Sequence, residues 1–333
     1  VTLRTVAGLA LASILLAGCS SPTGEDDAPT TAASPSPSAS PTPTTPATTA
    51  PTTEAAPKPA ITPEPRRAPE DQVTYGDREC HQGKASSTVL TCTFGDPEGD
   101  VTIVAVGDSK TEQYLSVLDA VGKERGWRVI GMTKSACAFS TAQLTGGSQP
   151  NKTWRNCEQW NRKALRKIEQ LQPDAVLTAL YKLKVPKFGR SLSSVDQKTL
   201  MAEGIHDALA RTGVPSVVLR ATPRAQSGDD IAQCVARHPK DTSRCDITGD
   251  TVTDPELVWS RTAMGLILDD LDEATSMSIN NLICSSERRC EAVADGILRY
   301  RDSHHLTETF LLSVADAFGA RLERALVRVG VLS

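Results

Sequence analysis

Two hydrophobic patterns alternate along the C-terminal three quarters of the chain. Residues 101–106 form an apolar, largely β-branched run without polar alternation, the pattern of a parallel strand covered on both faces. The run stops at Gly107-Asp108-Ser109. Across 111–125 the apolar residues Tyr114, Leu115, Leu118 and Val121 then fall on one helical face. The alternation repeats downstream: strands are predicted over 127–132, 175–180, 214–219 and 277–279. Helices are predicted over 157–171, 198–211 and 255–274, with a closing helical segment over 306–329. Pro173-Asp174 ends the second helix. Strand and helix alternating in this way specify an α/β fold, a three-layer α/β/α sandwich around a parallel sheet.

The N-terminal part follows neither pattern. Arg4, an apolar run over 6–16 and Leu16-Ala17-Gly18-Cys19 have the layout of a lipoprotein signal, and the run is too short to span a bilayer. Residues 1–18 are therefore expected to be removed, leaving Cys19 as a lipidated membrane anchor. The Pro, Thr, Ala and Ser that dominate the following stretch cannot bury enough surface to fold. Residues 19–71 are read as a tether, reaching roughly 150 Å if extended at about 3.1 Å per residue. Residues 72–333 are read as one domain, with no later apolar run long enough to cross a membrane.

A net charge of −4 argues against nucleic acid as a partner, and 4% aromatic residues limit stacking platforms for sugars or bases. Beyond Cys19 there are eight cysteines, an even count that implies disulfides in an exported chain. They fall into four sequence-local couples, and the expected pairs are Cys80 with Cys92, Cys137 with Cys157, Cys234 with Cys245, and Cys284 with Cys290. The absence of a Cys-x-x-Cys pair disfavours zinc, and neither a metal nor another cofactor is implied.

Ser109 falls at the C-terminal end of a buried strand, where ligands bind in open α/β sheets and where the next helix points its N–H groups. Asp302 and His305 are three apart, so on a helical turn they share a face. The carboxylate then fixes the imidazole tautomer while the other ring nitrogen takes a proton from Ser109. The bland alternative for Ser109 is a helix cap or turn. His304 is read as a neighbour of the site or a surface residue, and His81, His206 and His238 as surface residues. Asp302 is expected to hold the His305 pKa at or above the ordinary value of about 6.5.

These residues resemble the SGNH (GDSL-like) hydrolases. Gly107-Asp108-Ser109, Thr133-Lys134-Ser135-Ala136-Cys137, Pro173-Asp174 and Asp302-x-x-His305-Leu306 are similar to the extracytoplasmic SGNH domain of bacterial membrane acyltransferases, over roughly 72–333. The resemblance implies a flavodoxin-like parallel sheet and a catalytic Ser109, Asp302 and His305. It further implies a serine esterase or O-acyltransferase acting on acetyl or other small acyl esters of envelope glycans. The implied partners are an envelope polysaccharide or glycolipid and a membrane acyltransferase that supplies acyl groups. A catalytically inactive module that binds glycan or such a partner is the alternative. The wider family's oxyanion glycine and Asn have no obvious counterparts here, so the Ser109 N–H, an N–H near Ser135 and the Tyr181 hydroxyl are the candidate donors. Lys110 stands where the acyltransferase-linked branch commonly has His, which implies tuning of the site.

Overall fold

The computed structural model describes residues 60–144, 153–181, 194–225, 229–249 and 255–333. The signal, Cys19 and the tether up to residue 59 lie outside them. Five parallel strands carry the fold. β3 (Val101–Gly107) pairs with β4 (Trp127–Lys134) on one side and β5 (Ala175–Ala179) on the other, and β6 (Ser216–Leu219) and β8 (Ala274–Met277) continue beyond β5. Numbered along the chain among themselves, these five strands run 2-1-3-4-5 across the sheet. That is the flavodoxin-like order, whose topological switch point lies between the first and third, here β3 and β5. At the far edge β4 is shared by β1 (His81–Gln82), parallel to its end, and β2 (Cys92–Gly95), antiparallel to its first half.

Alternation along β3 sends its side chains into two separate cores. Ile103 and Ala105 face a layer containing Leu115, Leu118 and Val121 of α2 (Leu115–Arg125), Phe310 of α8 (Glu308–Ser313) and Phe318 and Leu322 of α9 (Ala315–Arg328). Val104 and Val106 face Trp160 and Ile168 of α3 (Arg155–Leu171), Met201 and Ile205 of α4 (Ser194–Thr212) and Met264 and Ile267 of α6 (Pro255–Leu268). Both faces are fully covered, which is why this strand carries no polar alternation.

Three expectations change. The first predicted helix is two helices, α1 (Ser109–Glu112) and α2, with Gln113 and Tyr114 between them. The helix expected to run to 274 ends at Leu268, because Asp270 takes a left-handed φ of 52°. The strand expected at 277–279 therefore lies earlier, as β8. Residues 60–71, read as the end of the tether, are joined to the domain: Thr62 N–H donates to the Gly296 carbonyl at 2.8 Å and Ala68 is fully buried. The smaller elements α5 (Ile231–Arg237), β7 (Ile247–Thr248), α7 (Asn280–Ile283), β9 (Arg289–Cys290), β10 (Val293–Ala294) and β11 (Ile297–Leu298) fill the region leading to the last motif. The four disulfides join Cys80 to Cys92, Cys137 to Cys157, Cys234 to Cys245 and Cys284 to Cys290, the same local couples.

Candidate active site

β3 leaves the sheet through Gly107, at φ 154°, where an added Cβ would run into the Thr111 hydroxyl. That hydroxyl is committed elsewhere, accepting the Ala179 N–H at 3.0 Å and so tying α1 to the end of β5. Asp108 caps α1 by accepting the Lys110 N–H at 2.8 Å. Ser109 thus becomes the first helical residue, whose own N–H precedes the first i to i−4 bond and has no acceptor within the helix. Its hydroxyl stands at the carboxyl end of β3, beside the switch point.

The chain reaches this end again at 300–306. Tyr300 pairs with Leu306 as an isolated bridge, Tyr300 Oη donates to the Pro223 carbonyl at 2.9 Å, and the Leu306 N–H donates to Gln113 Oε1 at 3.0 Å. Within that loop Asp302 Oδ1 accepts the N–H groups of His304 and His305 at 2.8 and 2.7 Å, while Oδ2 lies 2.7 Å from His305 Nδ1. An ionised carboxylate only accepts, so Nδ1 carries the proton. Nε2, 2.9 Å from Ser109 Oγ, is then the acceptor for the serine hydroxyl. The structure therefore brings Ser109, His305 and Asp302 together across 196 residues. A hydroxyl, an imidazole and a carboxylate in that order can serve as nucleophile, base and orienting anion.

The electrostatics differ from expectation in one respect. Burial pushes the Asp302 carboxyl up, but the His305 hydrogen bond and charge, with the two backbone donors, outweigh it and hold the pKa well below the carboxylate range. His305 is also lowered, not held at or above the ordinary value. Burial dominates, and the Lys110 and Arg301 charges add to it against the pull of Asp302. Lys110 is itself buried, donating to the His304 carbonyl at 2.6 Å and to Thr222 Oγ1 at 3.1 Å. Burial brings its pKa down to about 8, against the Asp108 and Asp302 charges. Asp108 moves the other way, pushed up by burial to about 6.

His304 packs in the site with its ring 4.0 Å from that of His305 and 4.7 Å from that of Tyr181, and burial lowers its pKa to about 4. Tyr181 therefore stands at the site, stacked on His304. The Ser135 N–H, expected as an oxyanion donor, is engaged instead by the Gln82 carbonyl at 2.9 Å, because β1 pairs with the end of β4. Ala136, next along the chain, has a left-handed φ of 56°, a conformation that usually selects glycine.

His81 is not a surface residue. Its Nδ1 lies 2.9 Å from Thr133 Oγ1 and 3.5 Å from Glu112 Oε2, and its Nε2 lies 2.8 Å from Ser135 Oγ. Tyr75 Oη donates to the other Glu112 oxygen at 2.7 Å. Sequence reasoning missed this group as a group; the available signals were Thr133 and Ser135 within one motif and Glu112, three residues after Ser109 and so on its side of the helix. His206 and His238 are half-buried, away from these contacts.

The family described as "SGNH domain (fused to AT3 domains)" matches residues 79–320. Among solved structures, the periplasmic domain of a lipopolysaccharide acetyltransferase from Salmonella ser. Paratyphi A is similar at a TM-score of 0.49 and 14% identity, over 68% of this chain and 85% of that one. Comparison with the curated proteins gives no match.

Proposed function

Since the chain belongs to the family of SGNH domains that occur fused to AT3 domains, we propose that it is a serine esterase or O-acyltransferase. Its substrates in this reading are acetyl or other small acyl esters of envelope glycans. The hydrogen-bonded chain Ser109 Oγ, His305 Nε2, His305 Nδ1, Asp302 Oδ2, at 2.9 and 2.7 Å, carries the proposal. Ser109 attacks the ester carbonyl as His305 takes its proton, and Asp302 stabilises the imidazolium. His305 returns the proton to the departing alcohol, leaving the acyl group on Ser109. A sugar hydroxyl or water then resolves that ester by the same path in reverse. The Ser109 N–H and the hydroxyl of Tyr181 are the candidate donors to the oxyanion, where a donor is worth a few kcal/mol of barrier. A lipid anchor at Cys19 and a membrane acyltransferase as donor belong to the same reading.

The test is peptide-resolved labelling with a fluorophosphonate together with turnover of a small acetyl ester. Ser109 should be labelled in the wild type and not in His305→Gln, and Ser109→Ala should lower turnover at least about 100-fold. An unlabelled Ser109 in the wild type, together with no turnover of the acetyl ester, favours the binding-module reading instead.

A further inference from the structure

Beside the Ser109 site, at the same end of the sheet, stands a second hydroxyl, imidazole and carboxylate in series. We infer that Ser135, His81 and Glu112 form a second nucleophile site, able to take an acyl group from a carboxylic ester independently of Ser109. Ser135 Oγ lies 2.8 Å from His81 Nε2. On the other ring nitrogen the Thr133 hydroxyl lies at 2.9 Å, and the Glu112 carboxylate, an acceptor only, stands 3.5 Å away. This favours the proton on Nδ1 and leaves Nε2 to accept the serine hydroxyl. Tyr75 Oη holds Glu112 from behind at 2.7 Å. Burial lowers the His81 pKa, which keeps the ring in the neutral, proton-accepting form.

The backbone presents this serine much as it presents Ser109. Gly107 of β3 and Thr133 of β4 are register partners, and each serine lies two residues beyond its member of that pair. Parallel strands lie about 4.8 Å apart, so the two serines follow the ends of neighbouring strands that finish at matching height. Ser135 is followed at once by the left-handed Ala136, a backbone conformation that non-glycine residues seldom adopt. Both flanks are fixed. Cys137, bonded to Cys157, anchors one side. On the other, the buried Lys134 donates to the Gly83 and Ser86 carbonyls at 2.5 and 2.7 Å, locking the loop after β1 to the end of β4.

In the step assigned to this array, Ser135 Oγ bonds to the ester carbonyl carbon and its proton passes to His81 Nε2. The tetrahedral adduct breaks its bond to the alcohol oxygen, which takes that proton and departs, and the acyl group stays on Ser135. Water reverses the sequence and releases the carboxylic acid. Nothing in this requires Ser109 to react.

Fluorophosphonate labelling of the full chain, read by peptide mapping, tests it. In Ser109→Ala the label is expected on Ser135, with a rate about 100-fold lower when His81→Gln is added, the contribution of a general base. Wild-type protein treated with p-nitrophenyl acetate and quenched in acid provides a second measurement that needs no variant, with acetyl expected on the Ser135 peptide. Absence of both modifications overturns the inference, as does Ser135 labelling that is indifferent to His81→Gln. The wild-type map reads Ser109 separately, so failure at Ser135 leaves the reading of Ser109 untouched.

Discussion

Lys110 sets the chemistry of its neighbours more than its place beside the serine suggests. Its ammonium is buried and held by two neutral oxygens, so its field reaches His305 without a contacting carboxylate to cancel it. In the proposed mechanism His305 must be neutral to take the Ser109 proton. A pKa below the ordinary value of about 6.5 keeps it neutral as the pH falls through that value, and activity is lost only as the pH falls through the depressed pKa. Lys110→Met removes one of the lowering charges, so the acid limb of the kcat/KM profile should move to higher pH. A limb that stays in place or moves lower contradicts this account. That Ser109, His305 and Asp302 come together was legible in sequence because Gly-Asp-Ser and Asp-x-x-His each carry local spacing. The direction of the His305 shift was not. It arises first from burial, then from a lysine 195 positions away in the chain, which spacing does not encode, with Arg301 adding to both.

Gly107 does for the β3–α1 junction what no other residue type can. Its φ of 154° and the Thr111 hydroxyl beside it leave no room for a side chain. Gly107→Ala should therefore strain the turn and shift Thr111 off the Ala179 N–H, with an expected loss of about 1–3 kcal/mol of stability. Denaturant midpoints at unchanged m-value measure it, and a stability equal to wild type would show that the turn relaxes freely. β3, a continuous apolar run, and α3, a long helix with a clear period, could be read from the sequence nearly to their ends. β1 and β2 could not, because a two-residue and a four-residue strand have no period and exist only through pairing with β4. The His81 group was invisible for the same reason: His81 reaches Ser135 only once β1 has added to the sheet.

For the molecule as a whole, two consequences follow from a closed α/β domain with its serines at one sheet end. If the chain delivers acyl groups to envelope glycans, deleting its gene should decrease ester-linked acyl groups on those glycans. An increase would instead assign deacylation. The second consequence concerns the cysteines. In the chain from Ala60 onward, denatured without reductant, no thiol should react with a thiol reagent, since all eight are paired. A reactive pair would sink that pairing.

The four disulfides are also sequential: each closes before the next begins, at separations of 12, 20, 11 and 6 residues, and none encloses or crosses another. With Cys19 lipidated as proposed and counting from Cys80, for a chain emerging N-terminus first into an oxidising compartment, every odd cysteine's correct partner is the next to arrive. Order of appearance alone then selects one pairing from the 105 that eight cysteines allow, and the chain can be oxidised correctly without an isomerase to reshuffle it.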